Sequence, residues 1–347
     1  RDRLPLVSGG ILAELIYSDE ARVLNDFTPD PGDPAFEYVR DMRSLVAIPH
    51  FDAGHATNMV VLMRRHPDGF DEEELPELVL TSNLFGRATG NLALSRELQQ
   101  AYEDVDRELR AVEAIQRSLL PRKLPDIPGL SLAEYYQTSR RAGGDYYDFF
   151  PLPDGQWGIF IADVSGHGTP AAVVMAITHS IAHSTPGPPT PPGMMLTFIN
   201  HRLATQYTGE SGAFVTAFYG IYDPGTRTLR YSCAGHNPPR LWDAAAGVVR
   251  SIDAATKYPM GIEPDETYED ATVCLSPGDE LLFYTDGIIE TFNNAGQMFG
   301  YDRLDAVLAG SRLEPRERVD AVLRAVTAFA EGRPVADDRT VLVAKVL

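Results

Sequence analysis

Four aspartates stand at the ends of apolar runs, most of them beside glycine: Asp145 in "GGDYYD", Asp163 in "IADVSGHG", Asp286 in "YTDG" and Asp337 in "ADDRTVLV". Short apolar runs bounded by turn residues read as buried strands. An ionised carboxylate at the end of such a strand is costly unless a partner neutralises it, and Lys and Arg are scarce around these positions. A fold that gathers the strand ends around a cation meets the constraint. Oxygen ligands without cysteine or a histidine set select a hard ion, Mg²⁺ or Mn²⁺, over zinc. Each aspartate alone reads as a turn residue; four in one local context read as a metal centre.

The stretch "RRAGGDYYDFF", residues 140–150, sharpens this reading. Two glycines suit a sharp bend or a close approach of the backbone. The aromatic residues after them, Tyr146 with Phe149 against Tyr147 with Phe150, are compatible with a strand, and Asp145 then sits at its end. Gly-Gly-Asp before a strand is also an ordinary turn. Two hard ions about 3.5–4 Å apart would make a bridging water a nucleophile for in-line attack on a phosphoryl group.

At 347 residues the chain has room for two or three domains with real cores. Residues 1–90 hold two candidate strands, "SLVAIPHF" and "NMVVLMRR", and an acidic turn "PDGFDEEEL" that opens a helical run. Residues 91–124 form a helical linker, in which Leu98, Val105, Val112 and Leu119 recur every seven positions; Leu94, Ala101 and Ile115 make a second seam broken at Glu108. A parallel dimeric coiled coil and a single amphipathic helix lying on its own domain both satisfy that pattern. Pro121, Pro125 and Pro128 end it. From residue 125 to 347 strands mix with helices: Thr169 reads as an N-cap with Pro170 in the first turn, and a second helix runs from about Met194 to Tyr207. Hairpin spacing among the later strands favours antiparallel sheet, an α+β chain.

A formal charge of −19 argues against a nucleic-acid or anionic membrane partner. No apolar run approaches the roughly 20 residues that span a bilayer. Cys233 and Cys274 are too few for a disulfide framework or a cysteine zinc site, which points to a reducing cytoplasm. A start at Arg1 suggests a fragment of something longer.

The ordered set "GGDYYD", "ADVSGHG", "AGHNPP", "TDGIIE" and "DDRTVLV" resembles the metal-dependent phosphatases of the PPM (protein phosphatase 2C) superfamily, in the SpoIIE/RsbU branch, over roughly residues 125–347. "IQRSLLP" resembles the segment that joins a regulatory region to that domain. The resemblance implies an α-β-β-α sandwich of two antiparallel sheets that hydrolyses phosphoserine or phosphothreonine on a partner protein with two Mn²⁺ or Mg²⁺ ions. Carried over by motif, Asp163 bridges both ions and the Val164 carbonyl joins one. Asp145 serves that first ion, and Asp286 with Asp337 holds the second; Asp338 is the alternative in register. Arg140 matches a position that receives the substrate phosphate, and reads equally as a surface arginine. His167 is kept as a turn residue without a proton-donor role, because eukaryotic relatives carry their histidine two residues after the bridging aspartate, not four. Gly235, His236 and Asn237 read as a strand-end turn that shapes the site. Residues 1–90 resemble a partial GAF sensor domain of unknown ligand, with His50, His55 and His66 as surface residues. The implied substrate is a phosphorylated STAS-domain antagonist of an anti-sigma factor, and the linker seam implies a homodimer.

Two rival readings differ in class. "GGDYY" resembles the turn of diguanylate cyclases, with Tyr146 where a glutamate is expected and the other motifs unexplained. A non-catalytic scaffold of the same fold would signal by contacts alone, although all four expected aspartates are present.

Overall fold

The computed structural model describes residues 7–18, 20–52, 55–184, 191–209, 212–310 and 312–347. It divides into two compact units, residues 1–104 and 105–347. Among the described residues no helix is long and apolar enough to cross a membrane.

In the first unit, α1 (Gly10–Ile16), β1 (Arg22–Leu24), α2 (Phe36–Val39), β2 (Ser44–Asp52) and β3 (His55–Arg64) build an antiparallel sheet in the order β1-β2-β3. The unbroken apolar run of β2 has a simple cause: both faces are covered. Leu45 and Ala47 pack with Leu15, while Val46 and Ile48 pack with Phe70. His50, read from the sequence as a surface residue, is buried on β2 at 8% exposure. It lies where Gly86 packs so closely that an added Cβ would meet the imidazole Nδ1 at 2.1 Å. His66 is exposed as expected, and the side chain of His55 lies outside the described residues.

Helix α3 (Leu75–Leu119) runs unbroken through Gly86 and Gly90, so the sensor-to-linker boundary read at residue 90 falls inside one continuous helix. Leu98 and Val105 on its seam are 56% and 55% exposed.

The second unit continues with β4 (Leu130–Gln137), β5 (Tyr146–Pro151), β6 (Trp157–Val164), α4 (Thr169–His183) and α5 (Pro192–Leu203), the last extended by a π-helical turn, Ala204–Thr208. Next come β7 (Val215–Asp223), β8 (Thr228–Ala234), β9 (Arg240–Asp243), β10 (Val248–Ser251), β11 (Thr256–Lys257), β12 (Ala271–Cys274) and β13 (Glu280–Tyr284). The chain closes with α6 (Asp286–Ile289), α7 (Gly300–Leu308), α8 (Pro315–Ala330) and β14 (Arg339–Val346). One sheet has the order β10-β9-β13-β14-β4; the other is β11-β8-β7-β6-β5, with β12 also on β8. Pairing is antiparallel except for the short β11 on β8.

The sheets face each other through residues such as Phe218 on β7 and Phe283 on β13, whose ring centroids are 5.5 Å apart. Helices α4 and α5 cover the sheet of β5–β8 and α8 covers β4 and β14, giving an α-β-β-α layering. Helix α4 begins one position earlier than the sequence suggested. Gly168, at φ 77°, is its N-cap and Thr169 its first residue, because the chain enters the helix through a left-handed conformation that only glycine adopts freely.

The pleat of β5 also corrects the pairing of its aromatic rings. With a period of two, Tyr147 meets Tyr136 of the opposite sheet at 6.3 Å, whereas Tyr146 and Phe150 contact His179 and His183 of α4 at 5.5 and 4.9 Å.

Candidate metal centre

Asp145 is held at the mouth between the sheets by two threonines from the other sheet's strand ends. Thr285 Oγ1 and Thr340 Oγ1 donate to its Oδ2 at 2.8 and 2.6 Å. Its second oxygen, Oδ1, is buried and accepts no hydrogen bond among the described residues. A carboxylate clamped through one oxygen, with the other bare and out of solvent, is disposed to meet a cation.

The turn before Asp145 is fixed from two sides. Gln116, near the end of α3, donates Nε2 to the Gly143 carbonyl at 2.7 Å and accepts from the Gly143 N–H at 3.1 Å. Asp338 accepts from the Ser139 N–H at 2.7 Å, from Ser139 Oγ at 3.1 Å and from the Gly144 N–H at 2.7 Å. The glycines serve this close approach: a Cβ on Gly143 would lie 1.9 Å from Asp338 Oδ2, and one on Gly287 would lie 2.0 Å from the Asp338 carbonyl oxygen. Asp338 is therefore buried with both oxygens engaged, while Asp337 is exposed and accepts from the Asp338 N–H at 2.9 Å. Of the two register choices, Asp337 has the freer carboxylate.

Asp163 lies on β6 one residue before its end, and Asp286 opens α6 directly after β13. Their acids are pushed in one direction. Burial, then the charge of Asp338, raises the Asp145 carboxyl well above the usual range. Burial raises Asp163 likewise, and Asp145, Asp286, Asp337 and Asp338 all add to it. Asp286 is pushed up to about 6 by burial, then by Asp337 and Glu290. Burial and Asp338 raise Asp337 against the Asp338 N–H and His167, which lower it. Five aspartates thus share one negative field that the neighbouring side chains leave largely uncompensated. Among the described residues no three of them place carboxylate oxygens all within 4.8 Å of one another.

The remaining sequence candidates take supporting places. Val164, buried beside Asp163, donates its N–H to the Gly144 carbonyl at 3.3 Å, so the two motifs touch through backbone. Arg140 has an exposed side chain. His167 is exposed in the turn after β6, near enough to Asp337 to lower its acid. Gly235 adopts φ 66°, and His236 is buried: its Nδ1 pairs with Thr216 Oγ1 at 2.9 Å, next to the Asp163 carbonyl. Burial pushes the His236 imidazole down to about 4, so it is neutral. Asn237 Oδ1 accepts from Tyr301 Oη at 3.0 Å.

Sequence reading missed Thr285, Thr340, Gln116 and the clamping role of Asp338. The threonines had a signal, since each stands within two residues of an acidic motif on a strand end; Gln116 had none.

A family profile described as stage II sporulation protein E (SpoIIE) matches residues 153–347, more than half of the chain. Protein IcfG of Synechocystis is 26% identical over 271 residues, covering 70% of this chain and 42% of that protein. Phosphoserine phosphatase RsbP of Bacillus subtilis is 26% identical over 194 residues, covering 55% of this chain and 47% of that protein. The chain thus spans about half the length of the curated relatives it matches. The solved SiaA-PP2C domain of Pseudomonas aeruginosa shares the fold, with a TM-score of 0.63 at 22% identity, over 71% of this chain and 99% of that domain.

Proposed function

The chain belongs to the SpoIIE family, and from that premise we propose that residues 125–347 are a metal-dependent protein serine/threonine phosphatase acting on a phosphorylated regulatory protein. The observation that carries this reading is the bare, buried Oδ1 of Asp145 inside the field of Asp163, Asp286, Asp337 and Asp338. In this reading two Mn²⁺ or Mg²⁺ ions would be held by Asp163, shared between them, with the Val164 carbonyl and Asp145 serving the first and Asp286 with Asp337 the second. Bound ions supply Lewis acidity and a nucleophile drawn from water at neutral pH.

The chain's own residues do the positioning. Thr285 and Thr340 aim Asp145, and Asp338 and Gln116 hold the turn that carries it; in this reading the exposed Arg140 receives the substrate phosphate. The name of the RsbP relative supports phosphoserine as the group hydrolysed, and a STAS-domain protein in the cytoplasm is the substrate we favour. The first unit serves as a GAF-like sensor, and α3 links it to the turn through Gln116.

The test is phosphate release from a phosphoserine STAS protein with Mn²⁺ or Mg²⁺, which chelator must abolish; a silent scaffold or a nucleotide cyclase gives none. Asp337→Asn, which keeps an oxygen but removes charge, should lower metal affinity and rate together, with excess Mn²⁺ restoring part of the activity. Unchanged behaviour at limiting metal would move the ligand to Asp338.

The seam on α3 gives a separate expectation. If exposed Leu98 and Val105 pair two chains, replacing both with glutamate should yield monomers by light scattering. A dimer that survives the double replacement would remove the coiled-coil reading.

A further inference from the structure

The motif "GGDYYD" carries two aspartates, and the strand sends them to opposite faces. Asp145 meets threonines of the other sheet, whereas Asp148 lies on the helix-covered face of β5 with Tyr146 and Phe150. Opposite it, α4 presents His179 and His183, four residues apart and so on one side of the helix. His183 Nε2 is 2.8 Å from Asp148 Oδ2, Tyr146 Oη donates to the same oxygen at 2.6 Å, and Tyr146 Oη stands 3.0 Å from His179 Nδ1. The Phe149 N–H donates to Asp148 Oδ1 at 2.7 Å. One ligand atom from each of Asp148, His179 and His183 lies within 4.8 Å of the other two, the one such trio among the described residues.

We propose that Asp148, His179 and His183 form a second metal site, for a borderline divalent ion of the zinc class, chemically separate from the aspartate centre. Two imidazoles with one carboxylate are the donor set that zinc and its neighbours accept and that Mg²⁺ does not favour. The parts of a supporting shell are in place: the Tyr146 hydroxyl and the Phe149 N–H orient the carboxylate, as outer partners do in metal sites. Asp148 is only 11% exposed in its side chain while His183 is 45% exposed, which leaves a side open for entry and for a water or external ligand. In the metal-free form the same groups satisfy one another by hydrogen bonds, so the ion replaces the His183 to Asp148 contact. Occupancy would tie β5, which follows Asp145, to α4, which follows the Asp163 turn. The site stands on its own residues and does not depend on the phosphatase reading.

The test uses the whole chain, stripped of metal and kept in excess Mg²⁺ while Zn²⁺ is titrated calorimetrically, with Co²⁺ as a spectroscopic probe. One zinc equivalent should bind and raise the melting temperature. His183→Ala and His179→Ala should each weaken it by at least about 100-fold, more than loss of an outer partner costs, and abolish the Co²⁺ visible bands; Asp163→Asn should keep both. His183 is exposed enough that its replacement leaves folding intact. Absence of zinc binding to the unaltered chain would overturn the proposal. So would unchanged affinity in both histidine variants, or binding lost with Asp163→Asn and kept with His183→Ala.

Discussion

Asp163→Ala is expected to reduce metal-dependent phosphate release by at least about 100-fold, beyond the 10–100-fold typical of losing an outer-shell partner. The residue is half-buried within the field of four other aspartates, all of which raise its acid. As a bridging ligand it would neutralise two ions at once, so its loss should dismantle the pair rather than weaken one site. The same electrostatics predict an opposite effect on stability. A carboxyl whose folded-state pKa is raised opposes folding when it is ionised at neutral pH. Removing it should therefore make the metal-free protein more resistant to urea while activity disappears. Undiminished turnover in the variant, or turnover of the unaltered protein in excess chelator, would sink the assignment. A metal-free variant that is less stable than its parent would contradict the electrostatic account.

Arg318→Leu should cost about 3–5 kcal/mol of folding stability, the range for stranding one member of a buried ion pair. Arg318 on α8 donates Nε to Glu280 Oε1 at 2.6 Å and Nη1 to the Val307 carbonyl at 2.6 Å. Its side chain is 2% exposed and that of Glu280 is 4% exposed. Burial already raises the Glu280 carboxyl, with Arg318 the largest influence holding it down. Without the guanidinium the carboxylate is left buried at neutral pH, and the deficit should shrink as pH falls and Glu280 takes up a proton. Adding Glu280→Leu to Arg318→Leu should recover most of the loss, because two apolar groups no longer strand a charge. Urea denaturation of the single and double variants measures it. A single variant as stable as its parent would mean that water reaches Glu280.

Much of the second unit was legible because its strands are bounded by unmistakable punctuation. "WGIFIA" became β6, "ELLFY" became β13 and "TVLVAKV" lies within β14, each closed by turn residues. Boundaries set by backbone conformation were less legible. The start of α4 moved by one residue because Gly168, not the side chain of Thr169, turns the chain. His50 looked like a surface residue because nothing in the local sequence announces that Gly86, far along the chain, will pack against it.

That acidic side chains end several buried strands with glycines beside them follows from the order of residues alone, since burial periodicity and turn chemistry are local properties. The task of each carboxylate is set by how the sheets and helices pack. The pleat turned Asp145 toward the threonines of the opposite sheet and Asp148 toward two histidines of α4. Close packing at Gly143 committed both carboxylate oxygens of Asp338 to the turn, whereas Asp337 accepts from the Asp338 N–H. These choices depend on contacts between residues up to 199 positions apart. Neighbours that meet only after the sheets stack leave no pattern along the chain, so the division of labour among the aspartates arises from packing.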